Sequence, residues 1–99
     1  MITSIKAKKV DPSGALVAEA VVRESGFEDV YLTYQLDDVP VYAVSRESLY
    51  GYLAEDGAMP AEDAVTEEYT SLEEATDNTG YGYIFSLLHL LANQLGRDA

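Results

Sequence analysis

Residues 2–23, ITSIKAKKVDPSGALVAEAVVR, decide how this chain folds. Two runs of small and branched apolar residues flank Asp11-Pro12-Ser13-Gly14, with proline at the second turn position and glycine at the last. Pairing Val10 with Ala15 puts Ile5 and Ala7 on one face with Leu16, Ala18, Ala20 and Val22. The other face then brings Lys6 beside Glu19. Such an opposite-charge cross-strand pair is worth about 0.2–1 kcal/mol. A slip of one residue would carry Lys6 and Lys8 to the apolar side, so the pattern specifies the register.

The alternation continues outward from this hairpin. Gly26 marks the next turn, and VYLTYQL, residues 30–36, directs Val30, Leu32, Tyr34 and Leu36 one way. A turn at Asp37-Asp38 returns the chain as VPVYAVS, residues 39–45. Pro40 has no N–H to give to a ladder, so this strand is expected at an edge or beginning after the proline. Tyr31, Tyr42 and Val44 are assigned to the face opposite Leu32 and Tyr34. Four short strands with local turns predict an antiparallel meander.

Beyond residue 45 the apolar period lengthens. Ser45 is a candidate N-cap for a helix carrying Leu49, Tyr52 and Leu53 and stopping at Gly57, and a short helix is expected from Pro60. Ser71 with Glu74 three residues later forms a capping box. A last helix over 81–95 carries Tyr81, Ile84, Phe85, Leu87, Leu88, Leu91, Ala92 and Leu95 as one broad stripe to cover the sheet. Strands first and helices after them give the α+β class. The expectation is a single domain over residues 1–99: a four-stranded antiparallel meander in 1–45, followed by two or three helices in an acidic region, 46–99, with the C-terminal helix packed on one sheet face.

Charge is the strongest compositional signal. The 99 residues carry 18 acids against 6 bases, a net charge of −12, and no cysteine. Residues 1–46 are almost balanced, with seven acids and five bases, whereas residues 47–99 hold eleven acids and only Arg97. The absence of cysteine excludes disulfides and thiolate metal sites. The opening residues, MITSIKAKKV, lack the apolar run of a signal peptide, and no segment reaches the roughly 18 apolar residues that span a bilayer. Cytoplasmic location is therefore expected, and anionic headgroups would repel the chain. Direct nucleic-acid binding is disfavoured, because Lys6, Lys8 and Lys9 are the one basic cluster on a strongly anionic molecule.

The residues offer no recognisable catalytic pattern. His89 is the single histidine, placed on the polar flank of the last helix, and its sequence neighbour Ser86 does not sit in a nucleophile elbow. The carboxylate doublets are adjacent pairs in expected turns or helix faces, a placement that normally means solvated surface. Neither AEDGAMPAEDA nor TDNTGYG has the alternate acids of a calcium loop, and Gly80 with Gly82 lack the third glycine and preceding strand of a phosphate cradle. No enzyme activity, metal or cofactor is expected.

The expected function is therefore a protein-interaction module that binds a basic partner. Its contact residues are the doublets Glu55-Asp56, Glu62-Asp63, Glu67-Glu68 and Glu73-Glu74. An alternative is a nucleic-acid mimic of the phage or mobile-element type, whose carboxylates, set along helices, imitate phosphates and inhibit a nucleic-acid-binding enzyme. A further alternative is a homo-oligomeric structural subunit whose charge serves solubility alone. Tyr83 and Leu90 lie outside the main stripe of the last helix and are assigned to self-association as a homodimer, with the second sheet face as another possible contact.

Overall fold

The computed structural model describes residues 2–10, 15–23, 28–36, 39–49, 53 and 64–97. Strands β1 (Ile2–Val10), β2 (Ala15–Val22), β3 (Val30–Leu36), β4 (Pro40–Ser45) and β5 (Val65–Tyr69) precede helices α1 (Leu72–Thr79) and α2 (Gly82–Arg97). The five strands form one antiparallel sheet in the order β1-β2-β3-β4-β5, a meander without crossovers. The first hairpin has the expected register, with Val10 opposite Ala15, Ala7 opposite Ala18, Ile5 opposite Ala20 and Lys6 opposite Glu19. An irregularity between Ile2 and Ser4 shifts the pairing at the start of β1, where Ile2 lies opposite Val22.

The α+β class and the first four strands match the sequence pattern, and a fifth strand extends the sheet into the acidic region. Residues VTEEY pair with β4, so Glu67 and Glu68 stand on a strand and not on a helix. Helical periodicity could not reveal a five-residue strand whose side chains are mostly exposed. The sheet therefore does not end at residue 45. Ser45 is the last residue of β4 instead of a helix cap, and its Oγ donates to the carbonyl of Glu47 at 2.8 Å. Just before β5, the carbonyl of Ala64 accepts from Arg46 N–H at 3.0 Å. Arg46 to Leu49 form bends and a turn. The expected elements around Tyr52, Gly57 and Pro60 lie outside the described residues, as do the turns at 11–14, 24–27 and 37–38.

Pro40 is the first residue of β4, opposite Leu36, and β5 pairs only from Tyr42 onward. Pro40 thus stands at the start of its strand, beyond the β4–β5 pairing, and β4 is an interior strand and not an edge. The register also corrects the face of two residues. Tyr42 lies opposite Tyr34 and Val44 opposite Leu32, so Tyr42 and Val44 belong to the core face. Tyr31, opposite Ser45, remains on the second face.

Helix α2 lies over β1, β2 and β3, and α1 packs between α2 and β5. Ala18, Ala20, Val22, Leu32, Tyr34, Tyr42 and Val44 meet Ala75, Ile84, Phe85, Leu88 and Ala92 in one buried cluster. Small side chains on β2 leave room for Phe85 and Leu88. Full burial of side chains of this size contributes about 1.5–3 kcal/mol each. Tyr34, Tyr42 and Phe85 are in ring contact, with centroids 5.2 Å apart for the tyrosines and 5.5 Å for the edge-on Tyr42–Phe85 pair.

Ser71 caps α1 as expected, its Oγ accepting from Glu74 N–H at 3.2 Å. Gly80 ends the helix at φ 76°, a left-handed conformation that a side chain disfavours. Gly82 has another purpose. A Cβ there would collide with the side chain of Thr76, so the glycine lets α2 start hard against α1. The two glycines of TGYG thus serve a helix–helix corner.

Candidate interaction surface

Edge strand β5 and helix α1 bring five acids to one end of the sheet. Glu67 and Glu68, opposite Val44 and Ala43, are exposed on β5, and Glu73, Glu74 and Asp77 are exposed on α1. Glu73 and Glu74 also complement the positive end of the α1 dipole, which is a structural use for both. Ser71, Glu73, Glu74, Asp77 and Asn78 line a shallow hollow of about 260 Å³. Tyr69 ties the two elements together electrostatically. Its phenol is raised above the ordinary range, first by burial, then by a hydrogen bond to Glu67 and by the charges of Glu67 and Glu74.

No ion pair joins these five acids to a basic side chain among the described residues. Arg23 is engaged elsewhere, its Nε donating to Asp29 Oδ2 at 2.9 Å. Lys6, Lys8 and Lys9 stand on β1, the opposite edge of the sheet. One edge strand is thus basic in sequence and the other acidic. The doublets Glu55-Asp56 and Glu62-Asp63 lie outside the described residues. The expected row of carboxylates along helices does not hold at Glu67 and Glu68, because a strand sends adjacent side chains to opposite faces.

Helix α2 presents a second feature. Tyr83 is 69% exposed and Leu90 64%, as their positions off the core stripe imply. Leu87, assigned by periodicity to the core, is 40% exposed and stands between them at i+4 and i−3. The apolar arc of α2 is wider than the sheet it covers, so its flank projects past the contact. Tyr83, Leu87 and Leu90 make a solvent-facing apolar stripe one helix face wide.

His89, also exposed, approaches the sheet through one contact. Its Nδ1 lies 3.0 Å from Tyr34 Oη, and the two rings meet edge-on at 5.3 Å. Burial, with a smaller contribution from Tyr42, raises the Tyr34 phenol above its ordinary range. The imidazole gives an otherwise enclosed hydroxyl its partner. Periodicity placed His89 on the helix flank but said nothing of Tyr34, which is 55 residues away in sequence.

The second sheet face carries a polar row that sequence reading missed. Lys6, Glu19, Thr33, Ala43 and Glu68 are successive cross-strand neighbours over all five strands. Glu19 is 0% exposed. Its Oε1 accepts from Ser48 Oγ at 2.9 Å and its Oε2 from Thr33 Oγ1 at 3.1 Å. Ser48 Oγ in turn accepts from Leu53 N–H at 3.3 Å. Glu19 therefore pins the chain after β4 onto the back of the sheet. The signal was present in Val17 and Val21, which share Glu19's face in ALVAEAVV. A strand apolar on both faces is buried on both.

Among the described residues no group of three or more acids or histidines is placed to hold a metal ion. No described helix is long and apolar enough to cross a membrane. Comparison with protein-family models, with curated protein sequences and with solved structures returns no match for this chain.

Proposed function

We propose that the chain is a non-enzymatic protein-interaction module that docks a basic partner on its acidic end, β5 and α1. One observation carries this reading: Glu67, Glu68, Glu73, Glu74 and Asp77 are exposed on two adjoining elements and make no ion pair among the described residues. Partial neutralisation by a nearby cation would have made the same residues an internal network. On a chain of net charge −12, these exposed acids form a field that attracts positive surfaces and raises association rates at low salt. The mimicry version of this reading requires phosphate-like spacing. Its support is confined to α1 and the edge of β5, where charges from a helix and a strand lie side by side.

Affinity capture of a basic partner tests the docking surface. Retention is expected at low ionic strength and release near about 0.5 M salt, where the screening length falls well below its value of about 8 Å at physiological salt. Replacing Glu67, Glu68, Glu73 and Glu74 together by Gln is expected to abolish retention while leaving the fold intact. Retention that ignores both salt and the four substitutions would remove the proposal.

A second reading rests on Tyr83, Leu87 and Leu90. Their i, i+4, i+7 spacing fits an α2 to α2 contact between two copies, a homodimer that leaves the acidic end open. Sedimentation is expected to give twice the monomer mass, and Leu90→Asp a folded monomer. A monomer at high concentration of the unsubstituted chain would exclude this contact.

A further inference from the structure

We propose that the back of the sheet holds a binding site for a small free primary alkylammonium ion. A half-open hollow of about 300 Å³ lies on the second face, lined by Thr33, Gln35, Val41, Ala43, Leu49 and Glu68. Its volume falls at the lower end of the range for ligand pockets, about 300–1,000 Å³, which suits a ligand of a few heavy atoms. β3, β4 and β5 supply its floor, and Leu49, from the chain that Ser48 pins to Glu19, supplies a wall.

The lining specifies the ligand's chemistry. Val41, Ala43 and Leu49 offer an apolar surface for a hydrocarbon stem. Thr33 has already committed its hydroxyl hydrogen to Glu19 Oε2, so toward the hollow its oxygen is an acceptor. Glu68 on β5 is an exposed carboxylate, acceptor-only and negatively charged. Gln35 adds a side-chain amide, and none of the six lining residues is basic. Acceptors in excess, one negative charge and an apolar floor call for a ligand with several donors, one positive charge and a short stem. An ammonium group has three N–H donors and no acceptor. Phosphates and carboxylates are unsuited, because Glu68 and the net charge of −12 oppose them.

Ala43 fits this use. It stands between Thr33 and Glu68 in the cross-strand row, where a larger side chain would occupy the space between the two acceptors. The buried carboxylate of Glu19 is then a positioning group: by taking the Thr33 hydrogen it fixes the hydroxyl as an acceptor, and by taking the Ser48 hydrogen it holds Leu49 in place. Glu68 belongs to both this hollow and the docking surface proposed above, but none of the α1 acids lines the hollow, so changing Glu73 and Glu74 alone distinguishes the two.

Titration of the isotope-labelled full chain with n-butylammonium chloride at constant ionic strength, followed by amide chemical shifts, tests the site. Saturable shifts at Gln35, Val41, Ala43, Leu49 and Glu68 are expected, with millimolar affinity. Glu68→Gln should weaken binding about tenfold or more, from loss of a charged hydrogen bond. Glu73→Gln with Glu74→Gln should leave it unchanged. Absence of saturable shifts, equal binding of n-butanol, or shifts spread evenly over Glu67, Glu73 and Asp77 would each overturn the proposal. So would undiminished affinity in Glu68→Gln, an exposed position where folding is not at stake.

Discussion

The two faces of the sheet are covered in different ways. The front is closed by two helices through apolar packing, with Phe85, Ile84 and Leu88 seated on the small residues of β2 and the rings of β3 and β4. The back is held by a polar anchor, in which buried Glu19 receives hydroxyl hydrogens from Thr33 and Ser48. Apolar packing is non-directional and tolerates compensation by neighbours. A buried carboxylate with two hydroxyl donors is directional, and removal of any one member leaves a desolvated group behind. The front thus supplies stability in bulk, and the back fixes where one segment of chain must lie.

Breaking the front is expected to have the larger effect. Phe85→Ala deletes a fully buried ring in contact with Tyr42 and should cost about 3–5 kcal/mol, read by urea denaturation. A loss below about 1 kcal/mol would mean that the helices contribute little to the stability of the sheet.

Breaking the back comes next. Glu19→Ala strands two buried hydroxyls and opens a gap, at a cost of about 2–3 kcal/mol. Glu19→Gln keeps the shape and one acceptor oxygen and should cost less. Amide exchange sharpens the contrast, since Glu19→Ala should accelerate exchange at Leu53, whose N–H is held by Ser48, more than in α2. Uniform acceleration in both regions would show that the two faces open together.

The smallest expected effect concerns the front's own polar contact. Tyr34→Phe removes the hydrogen bond with His89 at a cost of about 0.5–1.5 kcal/mol. It also changes the response to alkali. The folded state holds the Tyr34 proton more tightly than the unfolded state does, chiefly through burial. The associated stability is complete below the ordinary phenol value of about 10 and is lost as pH rises through the folded value. Tyr42 shifts the same way, also by burial. Denaturation midpoints should therefore fall above about pH 10, less steeply in Tyr34→Phe. Identical alkaline limbs in the two proteins would assign the effect to other groups.

Much of this was legible along the chain. Alternation gave β1 to β4 and the register of the first hairpin, because a one-residue slip would bury lysines. Capping chemistry located the start of α1 at Ser71, and the 3.6-residue period located α2. The exposed positions of Tyr83 and Leu90 followed from the same wheel. Strand β5 was hidden, because VTEEY is short, holds two adjacent acids and has no clear apolar alternation, with Tyr69 the one residue that packs against the core. The face of Tyr42 and Val44 was misassigned since the length of a turn, and not the strand's own pattern, sets the parity of the next strand. Leu87 was misplaced because a wheel shows direction but not the width of the surface that meets it.

The acidic surface divides along the same line. Composition and charge order established that the second half of the chain is anionic, a property that depends on covalent sequence alone. Tertiary structure decided which carboxylates share an edge: β5 closes the meander and α1 packs against it, which brings Glu67 to the same side as Glu73, Glu74 and Asp77 and leaves Glu68 on the back of that edge. It also decided that Glu19 is buried and Glu68 lines a hollow, although both belong to one cross-strand row. Sequence fixes local preferences such as period, caps and charge, because these act over a few residues. Burial and encounter depend on what covers a side chain, and here the covering chain lies far along the sequence, 29 residues for Ser48 at Glu19 and 55 for His89 at Tyr34.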